Sequence, residues 1–381
     1  MDLTLTEEQR MIQEMARDFA EKELAPRAAR LDESGEFPWE SLRKMGALGL
    51  LGLTVPEEYG GSLVDTVSYC LAIEEVARAC ASTSLIMAVH CMPCCGPIVR
   101  FGMEGQKARH LPHLATGEWI GGFALTEAGA GSDAAGVATT AVRDGDSYVL
   151  NGVKTFITSG NQARIIILFA TVDRTRGTKG ITTFIVDTQR PGFHVGTVEK
   201  KMGMHGSHTA EIVLEDYRLP VEDRLGGEGE GFKIAMATLD AGRIGIAAQA
   251  VGIAQAAFEA ARRYSQERVQ FGQPIAQFQA IQWMLADMAT RIEAARLLTF
   301  NAALKKDHGE RYTKEAAMAK LFATEVASWV CDQALQIYGG YGYSRDYPVE
   351  RYLRDARVTR IYEGTSEIMR LVIANQLLRE G

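Results

Sequence analysis

Apolar residues at helical spacing dominate the N-terminal third of the chain. Thr6 and Gln9 have the spacing of a capping box, which predicts the start of a helix. Met11, Met15 and Phe19 then fall on one face, so this helix is amphipathic. The same period returns, between turn signals, in segments 39–48, 66–79, 85–101 and 106–114. The pattern predicts a first domain of antiparallel helices that ends near residue 117.

Between Trp119 and about Pro220 the helical period disappears, and short apolar strands with polar joints replace it. Two of these strands flank Asn151-Gly152, a dipeptide that strongly favours a tight hairpin. We therefore predict a small antiparallel sheet domain with one hairpin turn at this dipeptide.

Long helical periods return after Gly231 and continue to the C-terminus. Their alanine-rich faces indicate close helix packing, within or between subunits. The predicted fold is therefore mainly α with a central β-domain. Its domains are an N-terminal helical domain at 1–118, a middle β-domain at 119–225 and a C-terminal helical-bundle domain at 226–381.

Composition is that of a soluble globular protein, with 46% hydrophobic residues, 23% charged residues and a net charge of -7. This balance provides no basic surface for nucleic acid and no polybasic membrane anchor. No apolar run approaches the ~20 residues of a transmembrane helix, and the acidic N-terminal stretch is unlike a transit peptide. The sequence predicts a cytoplasmic protein without a membrane partner, or a mitochondrial matrix protein if a transit peptide has been removed.

The six cysteines do not form the pattern of a disulfide framework. Cys91 and Cys94 have the CxxC spacing that zinc sites use, and Cys95 follows them, but no second pair accompanies them. We therefore predict no metal site. The other cysteines lie in apolar helical patterns and are predicted core residues: Cys70, Cys80 and Cys331.

A candidate catalytic base lies near the C-terminus, in the stretch RIYEGTSEI. Gly364 is a helix breaker, and Thr365 and Ser366 supply N-cap chemistry, so a helix should begin just after Glu363. The Glu363 carboxylate then lies in the preceding turn, near the positive end of a helix dipole, and can project into a cleft. A lone glutamate at this position is more often a solvated capping charge, so other motifs must decide.

One such motif is the glycine-rich stretch from Phe123 to Gly136. Its glycines allow a ligand to approach the backbone, and the Thr126 and Ser132 hydroxyls suit a phosphate or the polar edge of a ring. The alternative is a flexible surface turn. The stretch matches neither GxGxxG nor a P-loop, so it predicts neither a Rossmann nor a Walker site.

Three further stretches, KTFITSG, ERVQFGQPIAQFQ and QIYGGYGY, occur in this order before the EGT turn. Each has an ordinary structural explanation when it is taken alone. Together they resemble the acyl-CoA dehydrogenase family over essentially the whole chain, most closely its short-chain, butyryl-type branch. The resemblance implies the acyl-CoA dehydrogenase fold: an N-terminal helical domain, a middle antiparallel β-domain and a C-terminal four-helix bundle. It also implies one FAD per subunit and a homotetramer built as a dimer of dimers.

The resemblance also assigns residues to the cofactor. It implies that Thr126 lies near the flavin pyrimidine edge and that Thr158 hydrogen-bonds flavin N5. Phe156 stands where many relatives carry Trp, which still leaves an aromatic wall. Arg268, whose guanidinium suits pyrophosphate, would reach the FAD of the neighbouring subunit. The full implied cofactor-binding set is Phe123, Leu125, Thr126, Gly131, Ser132, Phe156, Thr158, Arg268, Phe271, Phe278, Gln279, Gln336, Gly339, Gly340, Thr365 and Glu367.

On the substrate side, Glu363 matches the catalytic base of the family. Some relatives carry the base on the long helix instead, one residue before an arginine, and here that position is Gly242. This favours Glu363 as the base. The implied substrate-binding set is Ser132, Asp240, Arg243, Tyr362 and Gly364.

The implied reaction is FAD-dependent α,β-dehydrogenation of a short- to medium-chain acyl-CoA to a trans-2-enoyl-CoA. Glu363 would remove the α-proton, a hydride would pass to flavin N5, and electron-transferring flavoprotein would take up the electrons. The alternatives are a flavin acyl-CoA oxidase, a flavin monooxygenase, and a non-catalytic helical interaction protein. The sequence leaves the acyl-chain length open.

Overall fold

The computed structural model describes residues 4–379 and contains helices, then a sheet, then helices. The capping box at Thr6 and Gln9 is present and starts the first helix, as the sequence predicted. The α-helices of the first domain are α1 Glu7–Phe19, α2 Ala28–Ser34, α3 Trp39–Ala47, α4 Thr66–Ala79, α5 Ala81–Val89, α6 Gly96–Phe101 and α7 Glu104–Ala115. Those of the last domain are α8 Gly231–Glu267, α9 Gln279–Asp307, α10 Thr313–Tyr338, α11 Val349–Thr359 and α12 Ser366–Leu377.

The middle of the chain forms one twisted sheet of eight strands in the order β6-β7-β3-β2-β4-β5-β8, with β1 beside β4. Most neighbours are antiparallel, whereas β1 and β2 each pair with β4 in parallel. A two-stranded ribbon, β9 with β10, follows the long helix α8. The strands are β1 Gly121–Ala124, β2 Thr140–Asp144, β3 Ser147–Thr158, β4 Ile165–Thr171, β5 Ile181–Asp187, β6 Phe193–Val198, β7 Thr209–Pro220, β8 Arg224–Leu225, β9 Val269–Gln270 and β10 Gln273–Pro274.

The hairpin predicted at Asn151-Gly152 was wrong. Both residues lie inside the continuous strand β3, and the tight turn is at Gly145, between β2 and β3. A Cβ on Gly152 would come within 2.5 Å of the Thr139 hydroxyl oxygen, so the glycine permits a close crossing of chains. The register against β7 shifts here, and the Asn151 side chain accepts a hydrogen bond from the Asp216 N–H at 2.8 Å. The dipeptide therefore forms a bulge instead of a turn.

Two helical stretches, Ala81–Phe101 and Gly231–Glu267, are long and apolar enough to cross a membrane by length and composition. The expectation that no apolar stretch reaches that length was therefore wrong. Their most apolar windows are 89% and 83% buried inside the protein. The long helix α8 packs against α4, α9 and α10, which places it in the largest hydrophobic core. Both stretches have the burial of core helices.

The cysteine-rich segment forms a π-helical turn, His90–Cys95, between α5 and α6. The Gly121 N–H donates to His90 Nδ1 at 3.0 Å, and His90 Nε2 donates to the Leu114 carbonyl at 3.0 Å. Burial lowers the pKa of His90 to about 4 and raises that of Cys94 to about 12, so both side chains are neutral. This segment therefore fixes the first strand of the sheet against the first domain. All six cysteines are buried.

Candidate active site

The candidate base lies in a strained turn between α11 and α12. Thr365 caps α12 by accepting a hydrogen bond from the Ile368 N–H at 3.3 Å. Glu363 therefore lies outside the helix, as the sequence predicted. Glu363 and Gly364 have φ angles of 51° and 101°, and this left-handed conformation costs a non-glycine residue about 1–3 kcal/mol. The turn needs contacts from the rest of the fold to persist.

The Glu363 carboxyl group lies against a position on α8 that has no side chain. Its Oε2 is buried and has no hydrogen-bond partner among residues 4–379. A Cβ on Gly242 would come within 2.3 Å of this oxygen. Burial raises the pKa of Glu363 to about 7, although Lys320 and Arg243 act to lower it. A carboxyl group of this kind can exchange a proton near neutral pH, as a general base must.

Arg243, which is buried, and Asp240, which is half-buried, form an ion pair beside this turn. Arg243 Nη1 donates to Asp240 Oδ1 at 2.7 Å, and the Thr313 hydroxyl donates to Asp240 Oδ2 at 2.6 Å. Arg243 Nε lies 3.5 Å from the Glu363 carbonyl oxygen. Burial raises the pKa of Asp240, and Thr313 and Arg243 oppose that shift. The pair therefore links α8 and α10 to the backbone of the turn.

Lys320 of α10 reaches the same turn, although no sequence motif had singled it out. Its side chain is fully buried, and Nζ donates to the Gly364 carbonyl at 2.6 Å. Burial lowers the pKa of Lys320 to about 7, while Glu363 acts to raise it. Two basic side chains from two helices thus lie against the two consecutive carbonyls of the strained turn.

Tyr362 joins the turn to the first domain. Its hydroxyl donates to Gln249 Oε1, and Gln249 Nε2 donates to the Ser84 hydroxyl oxygen at 2.8 Å. The Tyr69 hydroxyl is buried and has no hydrogen-bond partner among residues 4–379. A Cβ on Gly245, one turn beyond Gly242 on α8, would come within 2.7 Å of it. Two unpartnered polar atoms, the Tyr69 hydroxyl and Glu363 Oε2, therefore lie along one face of α8.

The glycine-rich stretch begins as β1 and crosses the end of β3. Glu127 accepts hydrogen bonds from the Ala138 and Thr139 N–H groups at 2.7 Å and 3.0 Å and from the Thr139 hydroxyl at 2.6 Å. Lys154 of β3 is fully buried and donates to Glu127 Oε1 at 2.8 Å and to the Leu125 carbonyl at 3.0 Å. This ion pair fixes the stretch to the sheet. The sequence motif included Lys154 but did not reveal this role.

This arrangement brings several predicted flavin residues together. The Thr155 N–H donates to the Thr126 carbonyl at 3.0 Å, so Thr126 lies beside the segment that carries Phe156 and Thr158. Phe156 is 64% exposed and has a φ of 57°. Among the predicted residues of the stretch, Phe123 and Leu125 are partly or fully buried, whereas Gly131 and Ser132 are exposed.

A second group of predicted residues surrounds a cavity of about 530 Å³ at the other end of α8. Arg268, Gly339 and Gly340 line it, and the Arg268 guanidinium lies 5.3 Å from the centre of the Tyr341 ring. A Cβ on either glycine would meet nothing within 4 Å, so the backbone there is open to a ligand. None of its lining residues belongs to the glycine-rich stretch or to the Glu363 turn.

The remaining predicted residues lie nearby or at α12. Phe271 is 93% exposed, has a φ of 52° and lies edge-on to Phe278 at 5.9 Å. Gln336 is exposed in the last turn of α10, Gln279 is exposed at the start of α9, and Glu367 is exposed in the first turn of α12. Within one chain, the predicted flavin residues therefore form two separate groups.

Sequence models of the acyl-CoA dehydrogenase family match almost the whole chain. The N-terminal domain model matches residues 6–118, the middle domain model 122–217 and the C-terminal domain model 229–378.

Known proteins that match the chain over their full length include named acyl-CoA dehydrogenases. The short-chain specific acyl-CoA dehydrogenase of Clostridium acetobutylicum is 50% identical over 379 residues, covering 100% of both chains. The structure of butyryl-CoA dehydrogenase from Megasphaera elsdenii is 48% identical with a TM-score of 0.98, again over 100% of both chains. A structure described as the electron transferring flavoprotein of Acidaminococcus fermentans is 51% identical with a TM-score of 0.98, with the same coverage.

Proposed function

The chain belongs to the acyl-CoA dehydrogenase family and is an acyl-CoA dehydrogenase, and we propose that Glu363 is the base that starts its reaction. The observation that carries this proposal is the buried Oε2 of Glu363, which has no hydrogen-bond partner among residues 4–379 and faces the space left by Gly242. The proposed substrate is a short- to medium-chain acyl-CoA, and the product is the trans-2-enoyl-CoA.

The cofactor of the enzyme is FAD, and the chain's residues fit that group. The Thr155 and Ser159 hydroxyls, on either side of Thr158, are buried without a hydrogen-bond partner among the described residues. Arg268 offers a planar donor to pyrophosphate, and the open backbone at Gly339 and Gly340 allows close approach. When bound, FAD supplies the acceptor for a hydride at N5.

The first chemical step is removal of an α-proton. This proton is too weakly acidic for a carboxylate in water, so the base must be desolvated and the thioester carbonyl polarised. The Glu363 N–H makes no hydrogen bond within residues 4–379 and can donate to the thioester oxygen, a contact typically worth ~3 kcal/mol. Glu363 Oε2 would take the proton from Cα, and bound FAD would supply the acceptor for the hydride from Cβ. A C=C bond forms between these carbons.

The electrons would leave through electron-transferring flavoprotein, and the enzyme would act as a homotetramer, a dimer of dimers. The Arg268 cavity shares no lining residue with the other flavin group, which supports a site completed by two subunits. Phe271 and Trp283, which are 93% and 61% exposed in the single chain, would then be covered. Arg268→Ala should lose FAD on extensive dialysis, and undiminished flavin occupancy would count against the shared site.

Anaerobic mixing of the purified yellow protein with butyryl-CoA tests the function. We expect bleaching of the flavin absorbance, and crotonyl-CoA as the product. Recovery of the colour on adding electron-transferring flavoprotein, together with no oxygen uptake in a parallel aerobic assay, separates a dehydrogenase from an oxidase. A protein that carries FAD but is bleached by no straight- or branched-chain acyl-CoA would contradict the proposal. The same series measures the chain-length preference.

A further inference from the structure

We propose that Lys320 is a positioning residue for the base: its ammonium group holds the Gly364 carbonyl and supplies the positive charge opposite which the Glu363 carboxylate forms. The inference rests on the proposed role of Glu363 as the base. It concerns a residue that the sequence motifs do not include.

The geometry of the turn gives Lys320 its first task. Glu363 and Gly364 are two consecutive left-handed residues, which an isolated turn would not retain. Arg243 reaches the first carbonyl only at 3.5 Å, whereas Lys320 Nζ reaches the second at 2.6 Å. A bond from an ammonium group to a carbonyl is charge-assisted and is shorter and stronger than a neutral one. The Lys320 contact is therefore the firmer of these two side-chain contacts to the carbonyls of the turn.

The charges around Lys320 give it a second task. Glu363 from the turn and Glu367 from α12 stabilise the ammonium group, while Arg243 from α8 and Arg360 after α11 oppose it. Glu367 is exposed, whereas Glu363 is half-buried and its Oε2 is fully buried, so Glu363 is the less solvated acidic partner. Lysines are almost never fully buried unless they are paired. Attraction of this kind works in both directions, so the ammonium group also stabilises the ionised Glu363.

Lys320 differs from a simple ion-pair partner in the acceptor of its hydrogen bond. Its Nζ donates to a backbone carbonyl and leaves Glu363 Oε2 without a partner among the described residues. A direct ion pair would occupy the lone pair that must accept the α-proton. The arrangement therefore supplies charge to the base while its oxygen stays free for the substrate.

The test uses the purified holoenzyme with four substitutions. Lys320→Met removes the charge and the donor, Lys320→Gln removes the charge and keeps a donor, and Lys320→Arg keeps both. The matched control is Thr324→Val, which changes a buried residue one turn along α10 whose hydroxyl bonds the Lys320 carbonyl at 2.8 Å. Infrared difference spectra between each protein and its Glu363→Gln counterpart follow the Glu363 carboxyl band as the pH is changed.

We expect the Glu363 titration midpoint to rise by about one pH unit or more in both neutral variants. Lys320→Arg and Thr324→Val should titrate close to the parent. The pH profile of flavin bleaching by butyryl-CoA should shift upward by the same amount. At pH 7 the bleaching rate of the neutral variants should be lower than that of the parent by about fivefold or more. Rescue of the profile by Lys320→Arg, but not by Lys320→Gln, would identify the charge as the essential property.

An unchanged midpoint in both neutral variants, with FAD retained, would overturn the proposal. If both neutral variants fail to fold, the pair Lys320→Met and Glu363→Gln is combined in one chain. Loss of both coupled charges should restore folding, and failure of the double variant would refute the role as a counter-charge. A parent enzyme that no acyl-CoA bleaches would contradict the proposed function instead, and the infrared midpoint would still test Lys320.

Discussion

Glu127, which holds the predicted flavin stretch, and Glu363, the proposed base, both have carboxyl oxygens inside the protein, but their surroundings differ. Glu127 accepts three hydrogen bonds from residues 138 and 139 and a fourth from Lys154. Burial raises the pKa of Glu127, but Lys154 and Thr139 outweigh burial and hold it below the ordinary value. Glu363 has one oxygen with no partner within residues 4–379, and its pKa is raised to about 7.

The difference separates a structural carboxylate from a reactive one. A buried charge whose hydrogen bonds are all made fixes the chain around it, and it has no oxygen left for a proton. A buried carboxyl group with an unused oxygen is costly to fold, and a site retains it only where other contacts stabilise the turn that carries it. The lysine near each carboxyl group differs in the same way. Lys154 donates a hydrogen bond to Glu127 itself, whereas Lys320 donates to the backbone beside Glu363.

The largest expected effect comes from removing the reactive carboxylate. Glu363→Gln should retain FAD and bind acyl-CoA, because the amide is nearly isosteric. It should lose about 10²–10⁴-fold or more in the rate of flavin bleaching, since the amide cannot accept the α-proton. Stopped-flow reduction by butyryl-CoA measures this rate. Turnover within about tenfold of the parent would contradict the assignment of the base.

Disrupting the ion pair of the structural carboxylate should reduce stability and FAD retention. Lys154→Met leaves Glu127 buried without its cation, and such a loss typically costs about 3–5 kcal/mol. We expect a lower melting temperature and loss of FAD on dialysis. The double variant Lys154→Met with Glu127→Gln removes both charges and should recover part of the stability. Retention of FAD and an unchanged melting temperature in the single variant would show that this pair does not fix the flavin stretch.

The sequence predicted the part of the site that depends on local chemistry. Gly364 and Thr365 correctly predicted where α12 begins and that Glu363 lies outside it. The helical period at 66–79 likewise predicted α4. The roles given to the flavin and substrate residues stay predictions.

The residues that were missed depend on tertiary contacts. Lys320 and Gln249 lie in alanine-rich helices, where a polar residue indicates an exposed face until the packing of its neighbours is known. The prediction of a hairpin at Asn151-Gly152 was wrong for the same reason. The dipeptide is a local signal for a turn, whereas Gly152 is required by a close approach to Thr139, which is a long-range contact. Short-range patterns cannot reveal which long-range partner a residue meets.

The two carboxyl groups should also give opposite contributions to the pH dependence of stability. The folded-state pKa of Glu363 rises from 4.5 to about 7, so the native state binds the proton more tightly and Glu363 lowers stability as pH rises through this window. At about 1.4 kcal/mol per unit, the total is up to about 3 kcal/mol. The pKa of Glu127 is lowered, so its contribution is present above the unfolded pKa and is lost as pH falls through the folded pKa.

Thermal unfolding at pH 5 and pH 8 checks these signs. Relative to the parent, Glu363→Gln should gain stability at pH 8 and gain little at pH 5. Glu127→Gln should lose nearly the same stability at pH 5 and pH 8, because both values lie above the ordinary pKa of 4.5 and Glu127 is ionised and hydrogen-bonded at each. The same pH response in both variants would contradict the comparison.

The smallest expected effect is a partial rescue, which tests whether the space at Gly242 can hold the base. Gly242→Glu alone should be damaging, because a Cβ there lies 2.3 Å from Glu363 Oε2. Glu363→Gly removes that obstacle, and adding Gly242→Glu should then return part of the activity with a changed chain-length preference. Recovery should be incomplete, since a group misplaced by about 1 Å can cost ~10²-fold. The matched control, Glu363→Gly with Gly242→Gln, fills the same space without a base. If both double variants retain FAD and the glutamate is no more active than the glutamine for any acyl length, the space beside Gly242 does not lie within reach of the substrate Cα.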